Sequence, residues 1–329
     1  MIILTLKQKM MGFVFPRKLT VPLVFKEKMV PSSQNLRDVS PKVTISLRKE
    51  IFPPEEGKQT DHDYKVSNIM KFPEIPVGGR LTHFLPEWEK ITQENWVLSI
   101  IKEGYKLEFI QKPPFQGIKS TLVNTKNLVL LKAEVNTLLE KNAIEIVPKS
   151  ETQSGFYSTL FLVKKKNGKM RLVINLRPLN RYLRKQHFKM DTLSKVLNLV
   201  KQNDWAFSLD LSDAYLHIPI FLKHRKYLRF CIQGTVYQFR VLCFGPTSSP
   251  RIFTKIISVV AAHLRKQSIR MAVYLDDWFS VNQSKEILFH DQEKMANLLV
   301  RLGFIINAEK SELTPSQNIT YIGALFHLK

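Results

Sequence analysis

Cysteine is nearly absent: Cys231 and Cys243 are the only two in 329 residues, with no CxxC and no Cys/His ligand spacing. That excludes a disulfide framework or a zinc ribbon and fits a reducing compartment. Long apolar runs are absent as well. No segment approaches the ~20 uninterrupted apolar residues of a transmembrane helix. The apolar start, Met1 to Pro16, is broken by Lys7 and Lys9 and lacks a small-residue cleavage site. The chain reads as neither secreted nor membrane-bound, an intracellular protein of cytoplasm or nucleus. Internal repeats and low-complexity tracts are missing too.

Negative charge is scarce where it matters most. From Thr152 to Leu275 the only acids are Asp191, Asp204, Asp210 and Asp213. Thr152 to Met190 carries ten Lys and Arg and no acid, and Ala214 to Leu275 repeats that ratio. The whole chain has a formal charge of +22 and a pI near 9.9. A basic field around a few lone carboxylates suits a polyanion that brings its own metal ions, meaning nucleic acid and nucleotide phosphate.

Composition is otherwise that of a folded protein, 44% hydrophobic and 10% aromatic. Residues 1 to 75 lack sustained periodicity and are interrupted by Pro16, Pro22, Pro31, Pro41, Pro53, Pro54 and Pro73, so they read as a poorly ordered segment without assigned function. Residues 76 to 125 read as an upstream helical segment, with short helices around Trp88 and Trp96. From 126 to 329 the pattern is that of one α+β unit. It contains a helix over Leu128 to Leu139, a strand at Ile144 to Val147, and a basic hairpin from Ser158 to Asn175 with Asn167-Gly168 at its tip. Helices are expected from Asp191 to Val200, Arg251 to Lys266 and Ser284 to Leu302, and a closing strand from Tyr321 to Phe326.

Two carboxylate clusters carry the chemistry. Asp276 and Asp277 lie between Met271-Ala272-Val273 and Trp278-Phe279-Ser280-Val281. Turn acids usually sit among Gly, Asn and Ser, so these flanks predict two carboxylates at a strand end in a buried hairpin. Buried carboxylates require a metal or another cation. Asp210 and Asp213 sit on a second strand-like segment upstream. Together they suit a two-metal site for nucleotidyl transfer, in which divalent ions activate a primer hydroxyl and neutralise pyrophosphate. Magnesium prefers such oxygen ligands. Asp210 and Asp276 are the candidate bridging ligands, Asp277 a supporting one, and the carbonyl of Leu211 a further donor.

Other residues carry two readings. Asp213 is either a nucleotide contact or the holder of a local turn. Tyr215 is either a ring beside the incoming sugar, rejecting a ribose hydroxyl, or a core tyrosine. Lys165 and Arg171 are either a triphosphate clamp or a solubilising tip, and the lack of nearby acids favours the clamp.

The ordered set of Arg171 to Asn180, Asp210 to Tyr215, Phe244-Gly245 to Phe253, Tyr274 to Asp277, Gly303 to Lys310 and Tyr321-Ile322-Gly323 resembles the fingers and palm of reverse transcriptases. The resemblance covers roughly 126 to 329. Phe156-Tyr157-Ser158, Leu216-His217-Ile218-Pro219-Ile220, His224 to Phe230, Trp278 and the block Val77 to Phe109 look further like the DIRS-like retrotransposons, which pair a reverse transcriptase with a tyrosine recombinase.

The resemblance implies a right-hand polymerase with an antiparallel palm sheet and packed helices. It also implies two Mg2+ or Mn2+ ions, deoxyribonucleoside triphosphates, and an RNA or DNA template-primer. It gives Asp210, Asp276 and Asp277 as catalytic metal ligands. Lys165, Arg171, Asp213, Ala214, Tyr215, Phe244, Gly245 and Lys310 would contact the nucleotide. Cys243 and Pro246 depart from the Pro and Leu expected around Phe244-Gly245. Because the sequence stops just after Tyr321-Ile322-Gly323, the expectation is a truncated copy lacking most of the thumb, with thumb or ribonuclease H supplied by a partner chain. A non-catalytic nucleic-acid-binding remnant is the alternative.

Overall fold

The computed structural model describes residues 3–6, 75–122, 125–164 and 170–329. The expectation of low order for residues 1 to 75 therefore lies almost wholly outside the described residues. Within that segment Ile3–Leu6 forms strand β1, where the sequence offered no element.

The later strands are β2 (Ile144–Ile146), β3 (Leu160–Lys164), β4 (Met170–Ile174), β5 (Trp205–Asp210), β6 (Arg229–Ile232), β7 (Thr235–Phe239), β8 (Met271–Tyr274), β9 (Asp277–Asn282), β10 (Glu312–Ser316), β11 (Asn318–Tyr321) and β12 (Ala324–His327). The helices are α1 (Leu85–Ile91), α2 (Asn95–Glu103), α3 (Thr125–Glu140), α4 (Arg177–Asn180), α5 (Leu193–Leu199), α6 (Ser249–Lys266) and α7 (Lys285–Arg301). Among the described residues the strands make four antiparallel sheets, ordered β1-β12-β11, β10-β5-β9-β8, β2-β7-β6 and β3-β4.

The sheet β10-β5-β9-β8 is central because it is covered on both faces. Side chains alternate along each strand. Phe207, Leu209, Met271, Val273 and Trp278 enter the main core with Ile252, Phe253 and Ile256 of α6 and Leu288, Met295 and Leu299 of α7. Ala206, Ala272, Phe279 and Val281 enter a second core with Val196 and Leu197 of α5 and Ile319, Tyr321 and Phe326 of the β11-β12 hairpin. Burial on both faces explains the nearly unbroken apolar run around Asp276. Each large side chain so buried is worth about 1.5–3 kcal/mol.

The expected closing strand from Tyr321 to Phe326 is instead the hairpin β11-β12, with Tyr321 opposite Ala324. Ile322 and Gly323 both have positive φ, 41° and 82°, as a two-residue type I′ turn requires. Alternating apolarity alone does not reveal such a reversal. Helix α6 starts at Ser249, with Pro250 in its first turn where the missing N–H costs nothing.

Residues 77–121 are woven through the rest. Trp88 Nε1 donates to the carbonyl of Leu302 at 2.9 Å. Gly79 N donates to Leu216 O, Tyr105 N to Pro219 O and Thr121 N to Cys231 O, each at 2.8 Å. Gly303, with φ of 92°, lies so close to the ring of Phe84 that a Cβ there would stand 2.4 Å from Cδ2.

Candidate active site

Strands β8 and β9 pair Tyr274 with Asp277, which leaves Leu275 and Asp276 as a two-residue turn. Leu275 takes φ of 54°, unusual for a bulky residue. The turn is tied to the neighbouring strand, since Leu211 N donates to the carbonyl of Asp276 at 3.0 Å. This corrects the expectation of two buried carboxylates at a strand end. Asp276 is on the turn itself, Asp277 opens β9, and both are half-buried. Leu275 and Trp278 provide the apolar flanks by packing into the main core on either side of the acids.

Across the ladder Asp210, the last residue of β5, lies directly opposite Asp277. Opposed residues in an antiparallel pair hold their Cβ atoms about 4.5–5.5 Å apart, and like charges there repel. The Asp210 side chain is buried, and the ammonium of Lys310 stands 3.6 Å from its Oδ1.

The other edge of β5 is clamped by the segment after α7. Asn307 N donates to the Asp210 carbonyl at 2.8 Å and Ser212 N to the Ile305 carbonyl at 2.8 Å. The Asp210 N–H donates to Ser311 Oγ at 3.0 Å, and that hydroxyl donates to Asn307 O at 2.7 Å. His217, fully buried, bridges the same segment to the turn that carries Tyr215. Its Nε2 accepts from Ile305 N at 3.2 Å, so Nδ1 carries the proton and donates to Ala214 O at 3.1 Å. Burial is the main reason its pKa is lowered, to about 4. Ser311 and His217 were not among the sequence-derived candidates. A His flanked by apolar residues was the available signal.

Ala214 to His217 form one short 3-10 turn, entered through Asp213 at φ of 50°. Ala214 is buried. Asp213 is exposed, and its carboxylate ion-pairs with Lys141 at 2.7 Å and makes no cap hydrogen bond to the turn. Tyr215 is only 6% exposed. Its ring centroid is 4.8 Å from that of Phe244 and 5.3 Å from that of Phe253. Burial, then the charge of Asp276, raises the phenol pKa well above its usual value, which puts the carboxylate within electrostatic reach of the ring. Phe244 is 45% exposed. The adjacent Gly245 takes φ of 126°, and its loop is pinned by Asn180, whose Nδ2 donates to Gly245 O at 2.9 Å and whose Oδ1 accepts from Thr247 N at 3.0 Å.

Lys165 lies outside the described residues. Arg171 is described only in its backbone, paired with Val163 on β3. Each of the four acids between Thr152 and Leu275 has a basic partner: Asp191 with Lys195 and Arg265, Asp204 with Arg270, Asp210 with Lys310, and Asp213 with Lys141. Acids from outside that stretch engage four more of its cations, Glu145 holding Arg225 and Arg240, Glu151 facing Arg229 and Glu108 holding Arg251. Lys189, Arg251 and Lys255, with His187, Thr254 and Ser258, line a cavity of about 330 Å3.

The donor set is all oxygen, as a hard divalent cation needs. Among the described residues, however, no group of three or more His, Cys, Asp or Glu is gathered closely enough to hold a metal ion. Magnesium is typically held by one or two carboxylates plus substrate phosphates rather than by an all-protein cage. The pair Asp210 and Asp277, with the Asp276 turn beside it, fits that arrangement. Among the described residues no helix is long and apolar enough to cross a membrane.

Residues 163–326 match the model of the family described as reverse transcriptase (RNA-dependent DNA polymerase). A transposon Tf2-3 polyprotein of Schizosaccharomyces pombe is 23% identical over 263 residues, 79% of this chain and 19% of the polyprotein. The Gag-Pro-Pol polyprotein of human T-cell leukemia virus 3 is 27% identical over 226 residues, 66% of this chain and 15% of that one. The chain thus spans a fifth or less of these relatives. In fold it is similar to the prototype foamy virus protease-reverse transcriptase CSH mutant, with a TM-score of 0.54 at 19% identity, covering 84% of this chain and 35% of that one. A foamy viral protease-reverse transcriptase in complex with double-stranded DNA gives the same TM-score at 18% identity, over 79% and 49% of the two chains.

Proposed function

Because residues 163–326 are a reverse transcriptase domain of the kind found in retrotransposon and retroviral polyproteins, we propose that this chain extends a primer on an RNA or DNA template. The transfer takes a nucleotidyl group from a deoxyribonucleoside triphosphate to the primer 3′-hydroxyl. The observation that carries this reading is the placing of Asp210 directly opposite Asp277, with the Asp276 turn tied to Leu211. Asp210, Asp276 and Asp277, with the Leu211 carbonyl, would hold two Mg2+ or Mn2+ ions, since the family generally uses divalent metals. Metal held there would supply the chemistry of lowering the pKa of the primer hydroxyl and neutralising the leaving pyrophosphate.

The chain's own residues do the rest. Lys310 offsets the charge of Asp210 and presents an exposed ammonium toward the phosphates. Tyr215, wedged between Phe244 and Phe253 and within electrostatic reach of Asp276, supplies a rigid wall against a 2′-hydroxyl. Phe244 offers an exposed face to the incoming base. Lys165 and Arg171 contact the triphosphate from the basic hairpin. The double-stranded DNA of the foamy viral complex supports a duplex as the partner here, and the cavity lined by Lys189 and Lys255 suits phosphate.

The blocks His217-Ile218-Pro219-Ile220 and His224 to Phe230 support a DIRS-like origin. Primer extension on an RNA template with Mg2+ tests the reading. Deoxyribonucleotide incorporation that Asp276→Asn abolishes is expected, and extension undiminished by that change would refute it.

A further inference from the structure

The segment Leu222–Tyr227 is a 3-10 turn that carries Lys223, His224, Arg225 and Lys226 in succession. None of its residues belongs to the strand ends that bear Asp210, Asp276 and Asp277. It is held rigidly. Phe221 N donates to Tyr105 O at 3.0 Å, His224 N to Phe221 O at 2.8 Å, and Phe156 N to Lys226 O at 2.9 Å. A Cβ on Gly155 would stand 2.1 Å from that Lys226 carbonyl, so two backbones meet there without room to shift.

Around this turn four rings form one cluster. The imidazole of His224 lies 5.6 Å from Phe109, 5.5 Å from Phe221 and 5.9 Å from Tyr227, centroid to centroid. Phe109 and Tyr227 are themselves 4.7 Å apart. Ammonium groups frame the rings, Lys106 at 4.8 Å from the Phe221 centroid and Lys226 at 5.6 Å from that of Tyr227. Lys112 and Lys223 are exposed alongside. After burial, the charges of Lys112, Lys106 and Lys226 are what depress the His224 pKa, which brings all three lysines within electrostatic reach of one ring.

The fold cancels little of this charge. Arg225 is engaged by Glu145 and Lys106 by Glu103. Among the described residues no acid forms an ion pair with Lys112, Lys223 or Lys226. Beside them Ile110 and Leu222 are 69% and 66% exposed. Three half-buried rings, Phe109, Phe221 and His224, seated on the buried Tyr227, with exposed apolar side chains and uncompensated ammonium groups on a stiff backbone, are the combination that binds an unpaired strand, through its phosphates and the faces of its bases.

We propose that Lys112, Lys223 and Lys226, around the Phe109–Phe221–His224–Tyr227 ring cluster, form a second nucleic-acid contact that takes single-stranded RNA or DNA, separate from the carboxylate site. The rings are edge-on to His224, so at most one or two of them offer a face, and the phosphates supply most of the binding.

The test titrates the full chain into a fluorescein-labelled twelve-nucleotide single strand and, separately, a blunt duplex, read by anisotropy at several salt concentrations. The variant is Lys112→Ala with Lys226→Ala, and the charge-matched control is Lys132→Ala with Lys294→Ala. The variant is expected to lose roughly tenfold in single-strand affinity, and its log–log salt slope to fall by about 1.4, two phosphate contacts at ~0.7 each. Duplex affinity is expected to stay within about twofold. A loss under twofold, or an equal loss in the control, would overturn the proposal as mere bulk charge. Cross-linking of a 5-iodouridine strand should map to peptides spanning 221–227, and a map confined to other peptides would overturn it as well. Failure of the catalytic reading is separately visible, because Asp276→Asn does not touch this surface.

Discussion

Asp210 and Asp277 occupy directly opposed positions on β5 and β9, two carboxylates on one face of a central sheet. A fold built only for stability would avoid the pairing, because like charges opposed across a ladder cost roughly 0.2–1 kcal/mol. Lys310 relieves part of that repulsion at Asp210. Asp277→Asn should therefore raise thermal stability in metal-free buffer by a few tenths of a kcal/mol while lowering extension. A thermal melt with EDTA checks it, and a clear loss of stability would show that the opposed carboxylates do not repel.

Replacing Tyr215 separates wall from core. Tyr215→Val removes a ring packed on Phe244 and Phe253, so some stability should be lost, about 1–3 kcal/mol. If the ring also borders the sugar, ribonucleotide incorporation should rise relative to deoxyribonucleotide by tenfold or more. Competition assays with both nucleotides measure the ratio, and an unchanged ratio assigns the ring to the core alone.

His217 links acid stability to the site. Its folded pKa near 4 lies below the ordinary value of 6.5. The unfolded chain therefore binds a proton that the folded chain refuses between those limits. Stability from this residue is complete above pH 6.5 and is lost as pH falls toward 4, by about 3 kcal/mol in all. His217→Gln keeps an acceptor but cannot titrate. The difference between wild type and variant, in urea unfolding across pH 4 to 7, should shrink on the acid side. Parallel curves would place the titration elsewhere.

Gly303 tests the docking of the upstream segment. A methyl there meets the Phe84 ring and also demands a left-handed backbone. Gly303→Ala should destabilise by about 1–3 kcal/mol. Phe84→Leu in the same chain should restore only part of the loss, because the backbone strain remains. Full rescue would mean that the ring alone was responsible.

Nucleic-acid affinity should fall steeply with salt and discriminate little between sequences, since Lys and Arg contacts to phosphate release counterions. Anisotropy between 50 and 200 mM salt measures the slope, and a flat response would count against the polyanion reading.

Much of this was written in one dimension. The scarcity of acids between Thr152 and Leu275, the hairpin of β3 and β4, the amphipathic helices α6 and α7 and the carboxylates in apolar flanks are local patterns, and local patterns survive in sequence. What the sequence could not express is register. That Asp210 faces Asp277, that Asp276 sits on the turn rather than the strand, and that the last strand is a hairpin all depend on which residues pair, and one residue of slip would turn Asp210 to the other face.

The partners of the acids were equally hidden. Lys310 reaches Asp210 across 100 positions of sequence, Lys141 captures Asp213, and Ser311 and His217 clamp the backbone beneath them. These contacts are made by elements distant in the chain and adjacent only after both faces of the central sheet are buried. The sequence by itself determined which chemistry was available; tertiary packing decided which side chains stand close enough to share it, because only burial on both faces fixes the strand register that brings them together.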